Sequence, residues 1–238
     1  VPVTRWLAQR ITRLILLLTG NPTAAMYVWF CLLFPGTLVH ELSHWLVATL
    51  LGVKVLCVSL GPQPQGQGRV QIGAVAYQRA EVFRESIIGL APLTIGTALA
   101  LFIVNAPLHL ALRAPFLMSD LLAQLQQVPY PQDAWLWLYL LVAISNAMLP
   151  SASDRQAWPT LLLFLAIIGA ILVLAGVADN IPSVAIARSA AAAVSLALVF
   201  LLTILLDLLI GACLWALEIA LGALLRREII TEDGKRRA

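Results

Sequence analysis

One short run, His40-Glu41-Leu42-Ser43-His44, combines residue types and a spacing that could carry chemistry. Two histidines four apart on a helix project their imidazoles from one face, where they can share a tetrahedral metal ion. Glu41 points off that line and is poorly placed as a ligand. Its carboxylate can instead reach a metal-bound water and act as general base. This is the HExxH arrangement of zinc-dependent peptide hydrolysis. One Zn2+ would bring its water to a pKa of about 7, and Glu41 would move the released proton to the leaving amine. The chain has three histidines, and two of them stand here. Three ionisable side chains inside an apolar segment are costly and point to function.

The rest of the chain is strongly apolar. Of 238 residues, 61% are hydrophobic and 11% charged, with a mean hydropathy of +0.92. Soluble globular domains carry about 25% charged residues, so this chain has too little polar material to coat a water-facing surface. A bilayer is the solvent that suits it. The net charge is +3. Arg226, Arg227, Lys235, Arg236 and Arg237 gather beside an apolar stretch, which fits anionic lipid heads rather than nucleic acid. Neither a nucleic-acid nor a nucleotide partner is expected. Cys31, Cys57 and Cys213 are odd in number and widely spaced, so no disulfide framework follows. No removable signal peptide is read at the N-terminus, and the first spanning helix is expected to direct insertion.

Residues 1–20 read as a basic amphipathic helix at the membrane interface, with Arg5, Arg10 and Arg13 near one side and Asn21-Pro22 ending it. The spans expected are 24–51, which holds the histidines, then 87–112, 134–150 and 159–178. The last apolar stretch, 184–225, is either one long helix or two segments broken near Gly211. The fold class is therefore an all-α multi-pass membrane protein with five spans, or six if that stretch divides. A kink or unwound turn is expected at Pro35-Gly36. Val53–Leu60 and Arg69–Tyr77 are strand-like runs around the Gly/Pro-rich stretch 61–68, and predict a β-hairpin over 53–77. An open sheet edge cannot face lipid, so the hairpin must lie at the membrane surface or behind protein. With five spans, ten Lys and Arg fall on the hairpin side and at most five opposite. That bias places the hairpin side, and with it His40 and His44, towards the cytoplasm.

A zinc site of this kind takes a third protein ligand and leaves the fourth position to water. His109 lies at the far end of the second span and suits an interfacial role. Of the carboxylates, helix direction puts Asp120, Asp133 and Asp179 on the face away from the histidines. Asp154, after the third span, returns to their level. Asp207 and Glu218 are eleven residues apart, on one face of the last stretch, and could line a cavity or a helix interface.

This pattern resembles the site-two protease family of intramembrane zinc metalloproteases. There HExxH lies on one membrane helix, and the third ligand is an aspartate on a later one, within Asn-x-x-Pro-x-x-x-x-Asp-Gly. Here Asn146-Ala147-Met148-Leu149-Pro150-Ser151-Ala152-Ser153-Asp154 keeps the Asn-to-Asp spacing. The proline stands one position later and Arg155 replaces the glycine. Gly89-Leu90-Ala91-Pro92-Leu93 resembles the family's Gly-Pro segment, and the hairpin its membrane-associated β element. The resemblance covers about residues 24–156. It implies a three-helix metalloprotease core over that range, with 157–238 as additional spanning helices and a basic tail. It implies Asp154 as third ligand. It also implies that Asn146 holds substrate backbone or polarises the scissile carbonyl; otherwise Asn146 is a hydrogen-bonded helix-end amide.

The function expected is an intramembrane zinc metalloendopeptidase acting on a transmembrane protein or peptide within the lipid bilayer. Two other classes stand against it. One is a catalytically silent membrane scaffold of the same fold. The other is a metal or ion transporter using Asp207 and Glu218.

Overall fold

The structure, a computed structural model, describes residues 2–64, 70–109, 132–149, 151, 153–156, 158–176 and 182–225. Among these residues run six helices and one hairpin: α1 (Pro2–Thr19), α2 (Pro22–Leu50), β1 (Val55–Pro64), β2 (Val70–Tyr77), α3 (Val82–Asn105), α4 (Ala134–Ala147), α5 (Trp158–Leu174) and α6 (Ser183–Leu225). Three of them, α2, α3 and α6, are long and apolar enough to cross a membrane. The two shorter apolar helices are α4 and α5. The 17 residues of α5 rise about 25 Å, short of a hydrocarbon core of about 30 Å. The end expected for that span, at 178, falls outside the described residues. No residue of α5 is buried by protein.

Local chemistry sets the boundaries of α2. Pro22 opens it with the fixed φ that a first helical turn uses. The side chain of Asn21 caps it, accepting from the N–H groups of Thr23 at 2.9 Å and Ala24 at 3.4 Å. The helix runs through Pro35-Gly36 without an unwound turn. It ends on Gly52, whose φ of +70° suits a residue without Cβ. The N–H of Val53 then reaches back to the carbonyl of Ala48 at 2.8 Å, the closing bond of a glycine C-cap.

The chain forms two compact units, one from the segments up to Phe34 and from Leu202 onward, the other Pro35–Leu201. In the first, α1 buries Leu7, Ile11, Leu14 and Leu17, one stripe at helical spacing. Protein therefore covers the apolar face of this helix. The Trp6 ring occupies the place where a Cβ on Gly211 would lie. Gly211 is thus a notch in an unbroken helix of 43 residues, which decides between the two readings of the last stretch. The Glu218 carboxylate accepts from Arg10 at 2.8 Å, with Arg13 at 3.8 Å. A carboxylate on an apolar helix needs such a partner.

In the second unit, α3 packs against α4 and α5. Gly36 of α2 meets the Ala143 carbonyl of α4 so closely that an added Cβ would overlap it and lie 2.8 Å from the Ala147 Cβ. Gly36→Val should force α2 and α4 apart and cost about 1–3 kcal/mol, the usual range for overpacking. Thermal unfolding of the detergent-solubilised protein checks this; an unchanged midpoint would contradict the close approach.

The hairpin lies within the stretch expected for it, but its first strand runs further than the sequence reading placed it. β1 continues through Gly61-Pro62-Gln63-Pro64, pairing Pro62 with Ile72 and Pro64 with Val70. Prolines two apart direct their nitrogens to the same side, and a two-stranded ribbon has a free side where a missing N–H costs no ladder bond. The register steps from Ser59↔Ala74 to Pro62↔Ile72. Gly73 therefore faces two residues, Leu60 and Gly61, in a β-bulge.

Candidate metal centre

α2 places His40 and His44 one turn apart, ring centroids 4.9 Å from each other and planes crossed at 80°. Their Nε2 atoms lie 3.2 Å apart. The turn after α4 brings Asp154 to both: Oδ1 is 3.2 Å from Nε2 of His44 and Oδ2 is 3.6 Å from Nε2 of His40. Among the described residues, these three form the group of side chains that could hold a metal ion.

Asp154 is held by its own turn. The Ser151 N–H donates to Oδ2 at 2.6 Å, and the Asp154 N–H donates to the Ser151 hydroxyl at 3.3 Å. Arg155 is exposed and donates through Nε to the Ser151 carbonyl at 3.2 Å. Pro150 lies outside the described residues. Burial pushes the Asp154 carboxyl up, but hydrogen bonds from His40, His44 and Ser151 outweigh it and hold the group well below the usual carboxylate range. Asp154 is accordingly an anion. On the other side of the turn, a Cβ on Gly89 of α3 would fall on the Asp154 carbonyl oxygen, so only glycine lets that backbone so close.

His44 is oriented from behind. Its Nδ1 lies 2.8 Å from the carbonyl oxygen of Ile88. A carbonyl only accepts, so Nδ1 carries the hydrogen, which turns Nε2 towards the site. Nε2 faces the His40 ring nitrogen and an anionic oxygen, an arrangement that calls for positive charge among the three, either a proton on the rings or a metal ion. Zinc bonds of about 2.0–2.1 Å in a tetrahedron set neighbouring donors about 3.3–3.4 Å apart. The two ring nitrogens are 3.2 Å apart, and each has its own carboxylate oxygen of Asp154 near that spacing, Oδ1 at 3.2 Å from His44 and Oδ2 at 3.6 Å from His40. The donor set and its spacing suit a zinc-sized ion.

Glu41 is 5% exposed and lies beneath the hairpin. A Cβ on Gly73 would come within 2.6 Å of Glu41 Oε1, and Gly73 has φ +78°, a conformation that favours glycine. Tyr77, at the end of β2, packs with Ala48, Val53 and Ile88. Burial pushes its phenol up, helped by the charges of Glu85 and Asp154, so it stays a neutral hydroxyl.

The remaining residues singled out in the sequence make other contacts. Asn146 donates through Nδ2 to the Val142 carbonyl at 3.0 Å, a bond within its own helix. His109 is exposed, with Nδ1 3.2 Å from the Pro107 carbonyl. Asp133 accepts from the Trp137 indole at 2.9 Å. Asp207 is buried in the first unit, where Glu218 is ion-paired with Arg10. Asp120 and Asp179 fall outside the described residues. Sequence reasoning missed Ile88 and Gly73. A glycine in the middle of a strand, where it weakens the element, was the signal available for Gly73. Comparison with protein-family models, curated proteins and solved structures gives no match.

Proposed function

We propose that this chain is an intramembrane zinc metalloendopeptidase of the site-two protease kind. One observation carries the reading: two histidines and an anionic aspartate converge at 3.2–3.6 Å, with Glu41 beside them on a helix of membrane-spanning length. His40 and His44 would hold the ion through Nε2, and Asp154 through its carboxylate. Zinc so held supplies Lewis acidity towards water and a peptide carbonyl.

Glu41 takes the proton of the attacking water as the water oxygen bonds to the scissile carbonyl carbon. It then gives that proton to the amine nitrogen as the C–N bond breaks. Enclosure of the carboxylate by β2 keeps it from bulk water, so the base works in a low-dielectric pocket.

A membrane-spanning substrate hides its peptide bonds in its own helix and has to unwind locally. Strand pairing would hold the extended stretch. Pro62 and Pro64 remove donors from the free side of β1, which leaves the side of β2, free of proline, as the better template. β2 is also the strand that touches Glu41. The proposal includes five spans, with α6 crossing once, and a site open to water on the cytoplasmic side, where the basic residues outnumber those opposite. Pairing of Glu218 with Arg10 and Arg13 gives that carboxylate a structural role and weakens the transporter reading.

Comparing the membrane-protein fragments released by cells carrying wild type or Glu41→Gln tests the proposal. Fragments found only with wild type are expected; identical sets would sink it and favour the silent scaffold. Gly73→Ala adds a Cβ against the Glu41 carboxylate at a strained φ. It should lower cleavage by about 10²-fold, the effect of a misplacement near 1 Å, with zinc content unchanged. Wild-type cleavage in this variant would show that the contact does not position the base.

A further inference from the structure

Pro92 lies in the interior of α3. It has no N–H, so the carbonyl four residues earlier, on Ile88, loses its helical donor, and the proline ring crowds that same oxygen outward. Ile88 is 0% exposed, which leaves the freed carbonyl no water to turn to. A buried acceptor in that position calls for a donor from another element. The structure provides one: Nδ1 of His44, at 2.8 Å.

The same short stretch touches a second member of the centre. Gly89, next to Ile88, lies against the Asp154 backbone, where a Cβ would overlap the carbonyl oxygen. One turn of α3 therefore orients a histidine through a freed carbonyl and seats the aspartate through a missing side chain. His40 is not oriented in this way, since its Nδ1 is buried without a hydrogen-bond partner.

We propose that Pro92 is a positioning residue of the metal centre. By withdrawing the N–H that would occupy the Ile88 carbonyl, it hands that oxygen to His44, fixes the Nδ1–H tautomer and aims Nε2 at the site. Groups that orient a ligand ring in this way also raise its affinity for metal. The metal part of this inference rests on the zinc-enzyme reading; the tautomer part stands without it. The competing account is that Pro92 merely bends an apolar helix, as prolines do elsewhere in membrane segments. Pro35 in α2 supplies the control, because it frees the carbonyl of Cys31 rather than that of Ile88.

The test compares wild type, Pro92→Ala and Pro35→Ala, each whole and labelled with 15N-histidine. With three histidines in the chain, the ring nitrogens can be resolved and assigned. In metal-free wild type, His44 should show a protonated Nδ1 hydrogen-bonded to the Ile88 carbonyl. In Pro92→Ala, the new N–H competes for the Ile88 carbonyl, and His44 should become a mixture of tautomers. The Zn2+ dissociation constant should rise by about 10- to 100-fold, while thermal stability does not fall, because alanine is the better helix former. Pro35→Ala should keep the wild-type tautomer and affinity. An unchanged His44 tautomer in Pro92→Ala would overturn the inference, as would the same change in Pro35→Ala. If wild type bound no Zn2+, the zinc-enzyme reading would fall, and the tautomer comparison would still decide the role of Pro92.

Discussion

Glu41→Gln should lower peptide-bond hydrolysis by at least the 10²–10⁴-fold that a positioned general base contributes, with zinc content unchanged. Glutamine keeps the size and the acceptor oxygen of glutamate but cannot take up a proton. The pocket beneath Gly73 would hold it with little rearrangement. The ligand atoms belong to His40, His44 and Asp154, so metal should remain stoichiometric. Cleavage of a membrane-spanning peptide in proteoliposomes, with elemental analysis of the same sample, reads both quantities. Full activity would remove Glu41 as the base. Loss of zinc would make Glu41 a ligand and require a different assignment of the centre.

The second large effect is expected from Asp154→Ala, which should abolish stoichiometric zinc. Two imidazoles remain, and the anionic oxygens 3.2 and 3.6 Å from them are gone. The loss of affinity should exceed the 10–100-fold typical of removing a group behind a ligand, and so exceed that of Pro92→Ala. Alanine also strips the Ser151 N–H of its acceptor, which could disturb the turn. Asp154→Asn separates the two causes, because its amide oxygen can still accept from Ser151 while the charge is lost. Zinc weakened in both variants assigns the effect to the carboxylate. Zinc retained in full by Asp154→Ala would take that residue out of the ligand set.

The parts of this centre differ in how far they could be read from the chain alone. His40 and His44 lie on one helix at a spacing set by helical geometry, so their convergence is local and legible. Asp154 is distant in sequence. Its arrival depends on helix direction and on the turn built by Ser151, which is why spacing alone left Asp207 and Glu218 open beside it. Those two share a helix face, as their separation required, yet Glu218 pairs with arginines of α1, a long-range contact that periodicity within one helix does not contain. The support from α3 was hidden for another reason. Any residue at 88 supplies a carbonyl, so the identity of Ile88 carried no signal; the informative residue was Pro92, four positions away. The strand through Pro62 and Pro64 was read as loop because proline usually ends strands, whereas a two-stranded ribbon tolerates it on its free side.

The turn around Ser151 and the bond from His44 to Ile88 have a further consequence, for how the protein exchanges its ion. Small zinc domains often assemble their ligands only when the metal arrives, so binding and folding are one event. Here two of the three donors are anchored by backbone groups that belong to the scaffold. Loading therefore orders little of the chain, and the conformational entropy lost on binding is small. Chelation should leave the framework standing, with its donors in register. Returning the ion then becomes a simple association step, reversible on the timescale of ion release rather than of refolding.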